Sequence, residues 1–356
     1  MRLGGSLALP RRYSAPMPKR KIGQFEDWAV YLAARLMGSA ITSFNIGHDL
    51  KMAKSLGRLW HNMSSKHRDR TLRHLTLAFP DHSRAQIENT ALKTFEHFAQ
   101  VSIETLYTPR LIYPNTWPSF VRTKNLGETT KLLNSNEPSI VLSGHIGNWE
   151  VLGTLLSALG IPIHSIARPI NHQRLNDYLI GVREAKGMSV ITKWDASDVM
   201  VDVLRSGGTL GFIADQNAGD GGVFVPWFGR LASSYKSIGL LAMTHNAPVI
   251  CGCAARIGSG FHYEVSIADI IRPDDWADQP DPLYYIVARY NRALESMVRR
   301  FPTQFVWMHR RWRSRPRYEY KGKPMTASMQ RKLEGLPWMD EKTMEGLKKP
   351  MDRRRM

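Results

Sequence analysis

"SIVLSGHIGNWEVLGTLLSALG", residues 139–160, combines a short apolar run, a turn rich in glycine and a second apolar segment with helical spacing. "SIVLSG" predicts a buried strand, and "WEVLGTLLSALG" predicts a helix that ends at Gly160. A strand that runs directly into a helix is typical of a crossover connection, which joins parallel strands of one sheet. This stretch therefore indicates an α/β fold.

The alternation of strand and helix continues along the chain. "IHSIA", "MSVIT", "TLGFIA" and "PVICGCAA" predict further strands, and "HQRLNDYLIGVREAKG" predicts a helix that ends at Gly187. Upstream, "HSRAQIENTALKTFEHFAQVSIETLY" begins with Ser83 and Gln86 in capping-box spacing and predicts one long amphipathic helix. We expect one α/β domain with a largely parallel sheet and flanking helices, preceded by a helical N-terminal lead.

The turn after the first strand carries an imidazole and a carboxylate. His145 lies where α/β sheets collect their functional loops. Side chains five residues apart do not share a face of a regular helix, so His145 and Glu150 meet only if Gly144, Gly147 and Asn148 form a turn. Glu150 would then accept the Nδ1 proton of His145 and leave Nε2 as a general base. The alternative is a histidine that caps a helix beside a surface glutamate.

The same turn lacks a nucleophile and a metal-binding pattern. Ser143 precedes the histidine and G-x-S-x-G is absent, so the base would activate a substrate hydroxyl directly. H-x-x-x-x-E is not H-E-x-x-H, and the other histidines form no ligand cluster in the sequence. We expect no metal.

The positive charge is concentrated at the ends of the chain. The formal net charge is +18; residues 1–22 carry six Lys or Arg and no acid, and residues 310–356 carry fifteen against six acids. Basic ends attract polyanions, either nucleic acid or an anionic membrane surface. The alternative is that both ends are solvated tails that keep the protein soluble.

The two cysteines indicate the compartment. Cys251 and Cys253 lie in an apolar strand, where residues two apart share a face but have poor geometry for a disulfide, and one C-x-C lacks half of a zinc site. We interpret them as reduced core residues in a cytosolic setting. "LGGSLALP" is too short to be the core of a secretory signal.

The stretch "WAVYLAARLMGSAITSFNI", residues 28–46, contains Arg35 as its only charged residue. The length suffices to cross a bilayer, but the arginine near the middle and the Ser, Thr and Asn content disfavour insertion. We interpret residues 23–45 as an embedded or interfacial anchor helix. The alternative is a helix buried in a soluble protein.

Several blocks together resemble a known family. "GHIGNWE" is similar to the H-x-x-x-x-D/E signature of the lysophospholipid acyltransferase superfamily. The chain resembles the bacterial lipid A lauroyl/myristoyl acyltransferase branch over about residues 24–317, through "RHLTLAFPDHSRAQIE" and the ordered blocks 167–187, 211–229 and 304–316.

The resemblance implies an acyltransferase-like fold and transfer of a fatty acyl chain from an acyl carrier protein thioester to a hydroxyl of a lipid A precursor glycolipid, without a cofactor. His145 and Glu150 fall on the catalytic dyad of that family. Arg168 and Arg183 fall on arginines of its second block, and Asp215 falls on the acid of its third.

The residue types agree with substrate binding at the second and third blocks. The forks of Arg168 and Arg183 suit phosphate, which the lipid acceptor and the phosphopantetheine arm of the donor both carry. The alternative is pairing with acids such as Asp177 or Glu184. Asp215 would orient an arginine or cap the glycine-rich turn behind it, and we favour this supporting role.

Two segments carry aromatic residues beside glycine or arginine. "NAGDGGVFVPWFG", with Trp227 and Phe228, is typical of a membrane-facing lip or an acyl-tunnel wall, or equally of a glycine loop that leads into a core strand. "WMHRRWRSRPR" suits a lipid headgroup interface, and would also suit RNA.

We therefore predict a basic N-terminal tail at 1–22, the anchor helix at 23–45, an acyltransferase domain at 46–317 and a basic C-terminal tail at 318–356. The enzyme would lie on the cytoplasmic face of a bacterial inner membrane, with anionic membrane lipids and acyl carrier protein as partners and no nucleic acid. The alternatives are an acyltransferase for another glycolipid or a lysophospholipid, and a non-catalytic protein that binds anionic lipid or nucleic acid.

Overall fold

The computed structural model describes residues 22–167, 169–184, 187–192 and 196–348. Within them the strands are β1 (Val121–Lys124), β2 (Ser139–Ser143), β3 (Ile163–Ala167), β4 (Met188–Thr192), β5 (Thr209–Ile213), β6 (Val223–Trp227), β7 (Arg230–Ser234), β8 (Val249–Arg256) and β9 (Tyr263–Ile271). The helices are α1 (Gln24–Ile41), α2 (Ile46–Met63), α3 (Ser65–Ala78), α4 (Arg84–Leu111), α5 (Gly127–Leu133), α6 (Trp149–Ala158), α7 (Gln173–Glu184), α8 (Ala196–Arg205), α9 (Lys236–His245), α10 (Pro273–Ala277), α11 (Pro282–Arg300), α12 (Arg317–Tyr320), α13 (Ala327–Glu334) and α14 (Glu341–Lys348).

Seven of these strands form one sheet in the order β1-β9-β8-β2-β5-β3-β4. Every neighbouring pair is parallel except β8 and β9, which are antiparallel. The predicted α/β class with a largely parallel sheet is confirmed. All residues of β2 and β8 are buried, so the centre of the sheet is the centre of the fold.

Local signals located most elements correctly. The predicted strands correspond to β2, β3, β4, β5 and β8, and α4 begins with the capping box of Ser83 and Gln86. Gly160 has a φ angle of +79°, a conformation that ends α6, and Gly187, three residues beyond the end of α7, has a φ angle of +84°. The sequence did not predict β1, β9 or the separate β6–β7 hairpin.

The two cysteines lie in the main core, as predicted. Cys251 and Cys253 are free, fully buried and on β8. Burial raises the pKa of the Cys253 thiol to about 12, so it stays protonated and unreactive at neutral pH.

The N-terminal helices pack against the body of the protein by one face only. Gly57 lets α2 approach α4 closely, since a Cβ there would lie 2.6 Å from the carbonyl oxygen of Phe95. Helix α1 buries no residue, and its Arg35 lies 4.7 Å from the ring of Tyr178 on α7. Among the described residues no helix has both the length and the apolar character needed to cross a bilayer. The predicted N-terminal membrane segment is therefore not confirmed.

The segment expected to be a C-terminal tail is part of the core as far as the structure describes it. Leu333, Leu336, Met344 and Leu347 are buried in the main apolar cluster. Helices α13 and α14 turn these side chains inward while their Lys and Arg residues face water, so the basic composition concealed an amphipathic pattern. Of the predicted tails, residues 1–21 and 349–356 lie outside the described residues.

Of the two alternatives for the segment around Trp227, the glycine loop that leads into a core strand is confirmed, and the membrane-facing lip is wrong. Trp227 and Phe228 are 0% and 4% exposed and pack within the main core, where the ring of Phe228 lies 5.6 Å from that of Trp307. Phe228 and Gly229 form the two-residue turn of the β6–β7 hairpin, with φ angles of +50° and +66°. Gly229 belongs to the hairpin turn, the other glycines of the segment belong to the loop before β6, and the aromatic residues fill the interior.

Candidate active site

The turn between β2 and α6 is hydrogen-bonded to its neighbours on both sides. Gly147 N donates to the carbonyl oxygen of Gln304 at 2.9 Å, and Asn148 N donates to that of Ala254 at 2.8 Å. Gly147 has φ +61°, and a Cβ there would lie 2.0 Å from the oxygen of Ala254. The predicted glycine turn is confirmed, and its close backbone packing makes the position of His145 rigid.

Asn148 connects this turn to a buried polar network. Its side chain accepts the backbone N–H groups of Glu150 and Val151 and so caps α6. Its Nδ2 donates to Glu104 Oε2 at 3.0 Å, and Arg256 pairs with the same carboxylate. The network holds the first turn of α6 against α4 and β8.

His145 is hydrogen-bonded to Asp215, which follows β5. Its Nδ1 lies 2.8 Å from Asp215 Oδ1, and the carboxylate is fully buried. Burial opposes ionisation of Asp215, but the charge and hydrogen bond of His145 outweigh it and lower the pKa of that carboxyl to about 2. Gly144 leaves room for Asp215, since a Cβ there would lie 3.1 Å from that of the aspartate.

Glu150 binds a different partner. Its carboxylate accepts two hydrogen bonds from Arg183 on α7, at 3.1 Å from Nε and 2.5 Å from Nη2. The expected hydrogen bond from His145 Nδ1 to Glu150 is therefore wrong, because Asp215 occupies that nitrogen. The parallel pairing of β2 with β5 brings the aspartate to the histidine, whereas α6 carries the glutamate toward α7.

Two further aromatic side chains flank His145. The ring of Trp149 lies 4.8 Å away edge-on, and the ring of His309 lies 4.6 Å away. Burial, followed by the nearby charge of His145, lowers the pKa of His309 to about 4, so His309 is neutral at pH 7. Nε2 of His145 forms no hydrogen bond within the described part of the chain, and the side chain keeps 19% of its surface exposed.

The expectation that the other histidines form no ligand cluster is wrong for His309. One potential ligand atom from each of His145, Asp215 and His309 lies within 4.8 Å of the others, close enough to hold a metal ion. The 2.8 Å between His145 Nδ1 and Asp215 Oδ1 fits a hydrogen bond, whereas two ligands about 2.0–2.2 Å from a tetrahedral zinc lie about 3.3 Å apart. Absence of a metal stays a prediction.

The geometry is that of an imidazole oriented by a buried carboxylate at the carboxyl edge of a parallel sheet. Residues 19–314 match a family model described as bacterial lipid A biosynthesis acyltransferase. The chain belongs to this family. It is an acyltransferase, as the resemblance of its motifs implied.

Curated relatives agree with the family. This acyltransferase is similar to a lipid A biosynthesis acyltransferase of Haemophilus influenzae, with 29% identity over 52% of this chain and 59% of the relative. The matched part of the chain thus spans less than two thirds of that relative's length. It is 24% identical to two Escherichia coli proteins. The match to a lipid A biosynthesis palmitoleoyltransferase covers 68% of this chain and 78% of the relative. The match to a lipid A biosynthesis lauroyltransferase covers 75% of this chain and 85% of the relative.

Of the two arginines expected to bind substrate, the structure describes Arg183. Arg168 lies outside the described residues. Arg183 pairs with an acid, as the alternative had it, and that acid is Glu150 instead of the suggested Asp177 or Glu184. It also lies at a cavity of about 260 Å³ in this acyltransferase, whose other lining includes the apolar residues Ala167, Ile170, Leu179, Ile180 and Val190.

Sequence reasoning missed His309 and the partnership of Asp215 with His145. His309 lies in the block 304–316 of this acyltransferase, which was noted for its arginines and aromatic residues. Asp215 follows a predicted strand just as His145 does, and the functional ends of parallel strands meet at one edge. That rule already favoured the contact, but only the strand order puts β5 directly beside β2.

Proposed function

We propose that the protein transfers a fatty acyl chain from an acyl carrier protein thioester to a hydroxyl of a lipid A precursor glycolipid, with His145 as the general base. The observation that carries the proposal is the 2.8 Å contact between His145 Nδ1 and buried Asp215, which leaves Nε2 of this partly exposed side chain available as a base. Relatives named as a lauroyltransferase and a palmitoleoyltransferase support the chemistry.

The reaction begins when His145 Nε2 removes the proton of the acceptor hydroxyl. The oxygen attacks the thioester carbonyl carbon and forms a tetrahedral oxyanion. The carbon–sulfur bond then breaks, and the carrier thiolate takes the proton from the imidazolium. Asp215 fixes the Nδ1–H tautomer of His145 and stabilises the positive imidazole between these steps.

Glu150 acts in this proposal as a positioning residue. Its two hydrogen bonds hold the guanidinium of Arg183 at the edge of the 260 Å³ apolar cavity. We propose that this cavity takes part of the acyl chain and that the ion pair orients the thioester end near His145. A phosphate-binding role for Arg168 remains a prediction from the family resemblance.

We also propose that helices α1 and α2 attach the protein to the cytoplasmic face of a bacterial inner membrane. Each exposes one apolar stripe: Phe25, Trp28, Leu32 and Leu36 on α1, and Met52, Leu56, Leu59 and Met63 on α2. Such stripes suit helices that lie in the interface. In vesicle flotation at high salt, changing Leu36 and Leu59 to Glu should release the protein. Flotation of this variant equal to that of the wild-type protein would contradict the attachment.

The acyl transfer is tested by mass spectrometry of a lipid A precursor incubated with acyl carrier protein thioester and the purified protein. Wild-type protein should add one acyl mass, and His145→Ala should lower turnover about a hundredfold or more without loss of fold. Equal turnover by folded His145→Ala would overturn the mechanism. Other glycolipid and lysophospholipid acceptors, offered with the same donor, test the alternative acceptor, and a chelator control tests the metal.

A further inference from the structure

Four arginines converge on one cavity beside the segment that carries His309. Arg70 and Arg73 come from α3, and Arg310 and Arg313 come from the segment that follows His309. The cavity measures about 290 Å³, and His74 and Trp312 form much of the rest of its wall. Residues from two distant parts of the sequence therefore place four positive charges around one space.

Within the described part of the chain, these four charges have no carboxylate partner. Among the residues that the structure describes, none of the four forms an ion pair, and Arg70 donates to the carbonyl oxygen of Met308 at 3.1 Å. Burial lowers the pKa of Arg70, and the charges of Arg310 and Arg73 lower it further. Guanidinium groups that repel one another around a cavity are stabilised when an anion lies between them.

Neighbouring arginines of the same segment are used differently. Arg311 is buried and donates to Asn291 Oδ1 at 2.7 Å, and Arg315 pairs with Glu319 at 2.8 Å. Arg311 through Asn291, and Arg315 through a hydrogen bond to the carbonyl oxygen of Leu231, hold the segment to the body of the protein. Arg310 and Arg313, which alternate with them, are exposed and face the cavity. The segment thus has a structural face and a free basic face.

The wall of the cavity is held by contacts of His74 and lies on the segment that precedes and follows His309. His74 is buried, and its Nδ1 lies 2.8 Å from the carbonyl oxygen of Trp307. Its ring packs edge-on against Trp312 at 5.3 Å. Arg310 directly follows His309, whose ring lies 4.6 Å from that of His145. Through Arg310, and through Arg70, which donates to Met308, the cavity therefore adjoins the segment that carries His309.

We propose that this arginine cavity binds a phosphate ester carried by one of the two substrates. The inference rests on the proposed acyl transfer, in which both the glycolipid and the phosphopantetheine arm of the donor carry phosphate. Guanidinium forks bind phosphate oxygens in pairs, and several forks around one cavity fit a dianion. The sequence analysis assigned phosphate binding to Arg183, but Glu150 already neutralises that side chain.

The test uses the full chain and a charge-matched control. Arg73→Gln with Arg313→Gln removes two exposed forks of the cavity, and Arg317→Gln with Arg331→Gln removes two exposed arginines elsewhere. Calorimetry with pyrophosphate measures anion binding without any acyl transfer. Kinetics then compare the lipid A precursor with its dephosphorylated form, and the carrier protein thioester with an acyl N-acetylcysteamine thioester, which has no phosphate.

The cavity variant should bind pyrophosphate about tenfold or more weakly, while the control stays within twofold. The KM of the cavity variant should rise for one substrate only, either the phosphorylated acceptor or the carrier protein donor. The substrate whose KM rises is the one whose phosphate the cavity binds. Equal weakening by the control variant, or an equal rise of KM for the substrates without phosphate, would overturn the proposal. Arg73→Lys with Arg313→Lys should show the same selectivity to a smaller degree.

If wild-type protein acylates none of these acceptors, the proposed acyl transfer fails. The pyrophosphate measurement still decides whether the arginines form an anion site.

Discussion

The carboxyl end of β5 and the first turn of α6 each place one acid near the catalytic turn, and the two acids behave differently. Asp215 is fully buried and binds His145 at 2.8 Å. Glu150 is closer to His145 in sequence but binds Arg183. The comparison teaches that strand order, and not sequence spacing, selects the partner of the histidine.

The same comparison agrees with the separate tasks that we propose for the two acids. A buried carboxylate whose pKa is about 2 remains charged throughout the working pH range, as the orienting partner of a base must. Glu150 and Arg183 neutralise one another at the edge of an apolar cavity, which suits positioning. The predictions below test this division, from the largest expected effect to the smallest.

Asp215→Asn should lower kcat about 10²–10⁴-fold, because an amide neither fixes the Nδ1–H tautomer nor stabilises the imidazolium of His145. Glu150→Gln should lower it only about tenfold. Steady-state rates of both variants, with thermal unfolding as the control for folding, check the order. A larger loss in Glu150→Gln than in Asp215→Asn would show that the glutamate acts on the chemistry itself.

Local rules predicted the parts of this site that depend on neighbours in sequence. Gly160 ends α6, Gly187 follows α7, Ser83 caps α4, and the turn at Gly147 brings the chain into α6 as expected. These features depend on φ angles and on hydrogen bonds within a few residues.

The contacts that define the chemistry depend on tertiary order. The contact of His309 with His145 joins residues far apart in the chain, and no periodicity encodes it. The core role of Leu333 was hidden for a related reason: composition suggested a basic tail, while the apolar face of α13 became meaningful only against the main core. Sequence thus predicted the elements, and packing determined their partners.

The histidines around the turn differ in the same way as the acids. His145 touches Asp215 and is partly exposed, whereas His97 is buried and its Nε2 lies 3.1 Å from the carbonyl oxygen of Gly147. Burial lowers the pKa of His97 to about 3, and the charge of Arg256 adds to this. His97 is therefore neutral in the folded protein at any pH above about 4.

This difference predicts acid sensitivity. Below the unfolded pKa of about 6.5, the unfolded chain takes up a proton at His97 that the folded protein does not, so stability is lost as pH falls. Between pH 7 and pH 5, protonation of His97 in the unfolded chain should lower the free energy of unfolding by about 2 kcal/mol. His97→Gln keeps a donor near Gly147 and should remove that part of the loss. Denaturant unfolding at both pH values measures it, and an unchanged pH dependence would contradict a neutral His97.

The smallest effect concerns whether Glu150 and Arg183 act as one unit. If the glutamate only holds the guanidinium, Glu150→Gln and Arg183→Gln should each lower kcat/KM about tenfold, and the double variant should lose no more than the larger single loss. The reason is that either substitution alone already frees the other side chain from its 2.5 Å hydrogen bond. A double-mutant cycle on the acyl-transfer rate provides the measurement. Losses that multiply would mean that each side chain contacts the substrate separately, and Glu150 would regain the direct role that the family resemblance gave it.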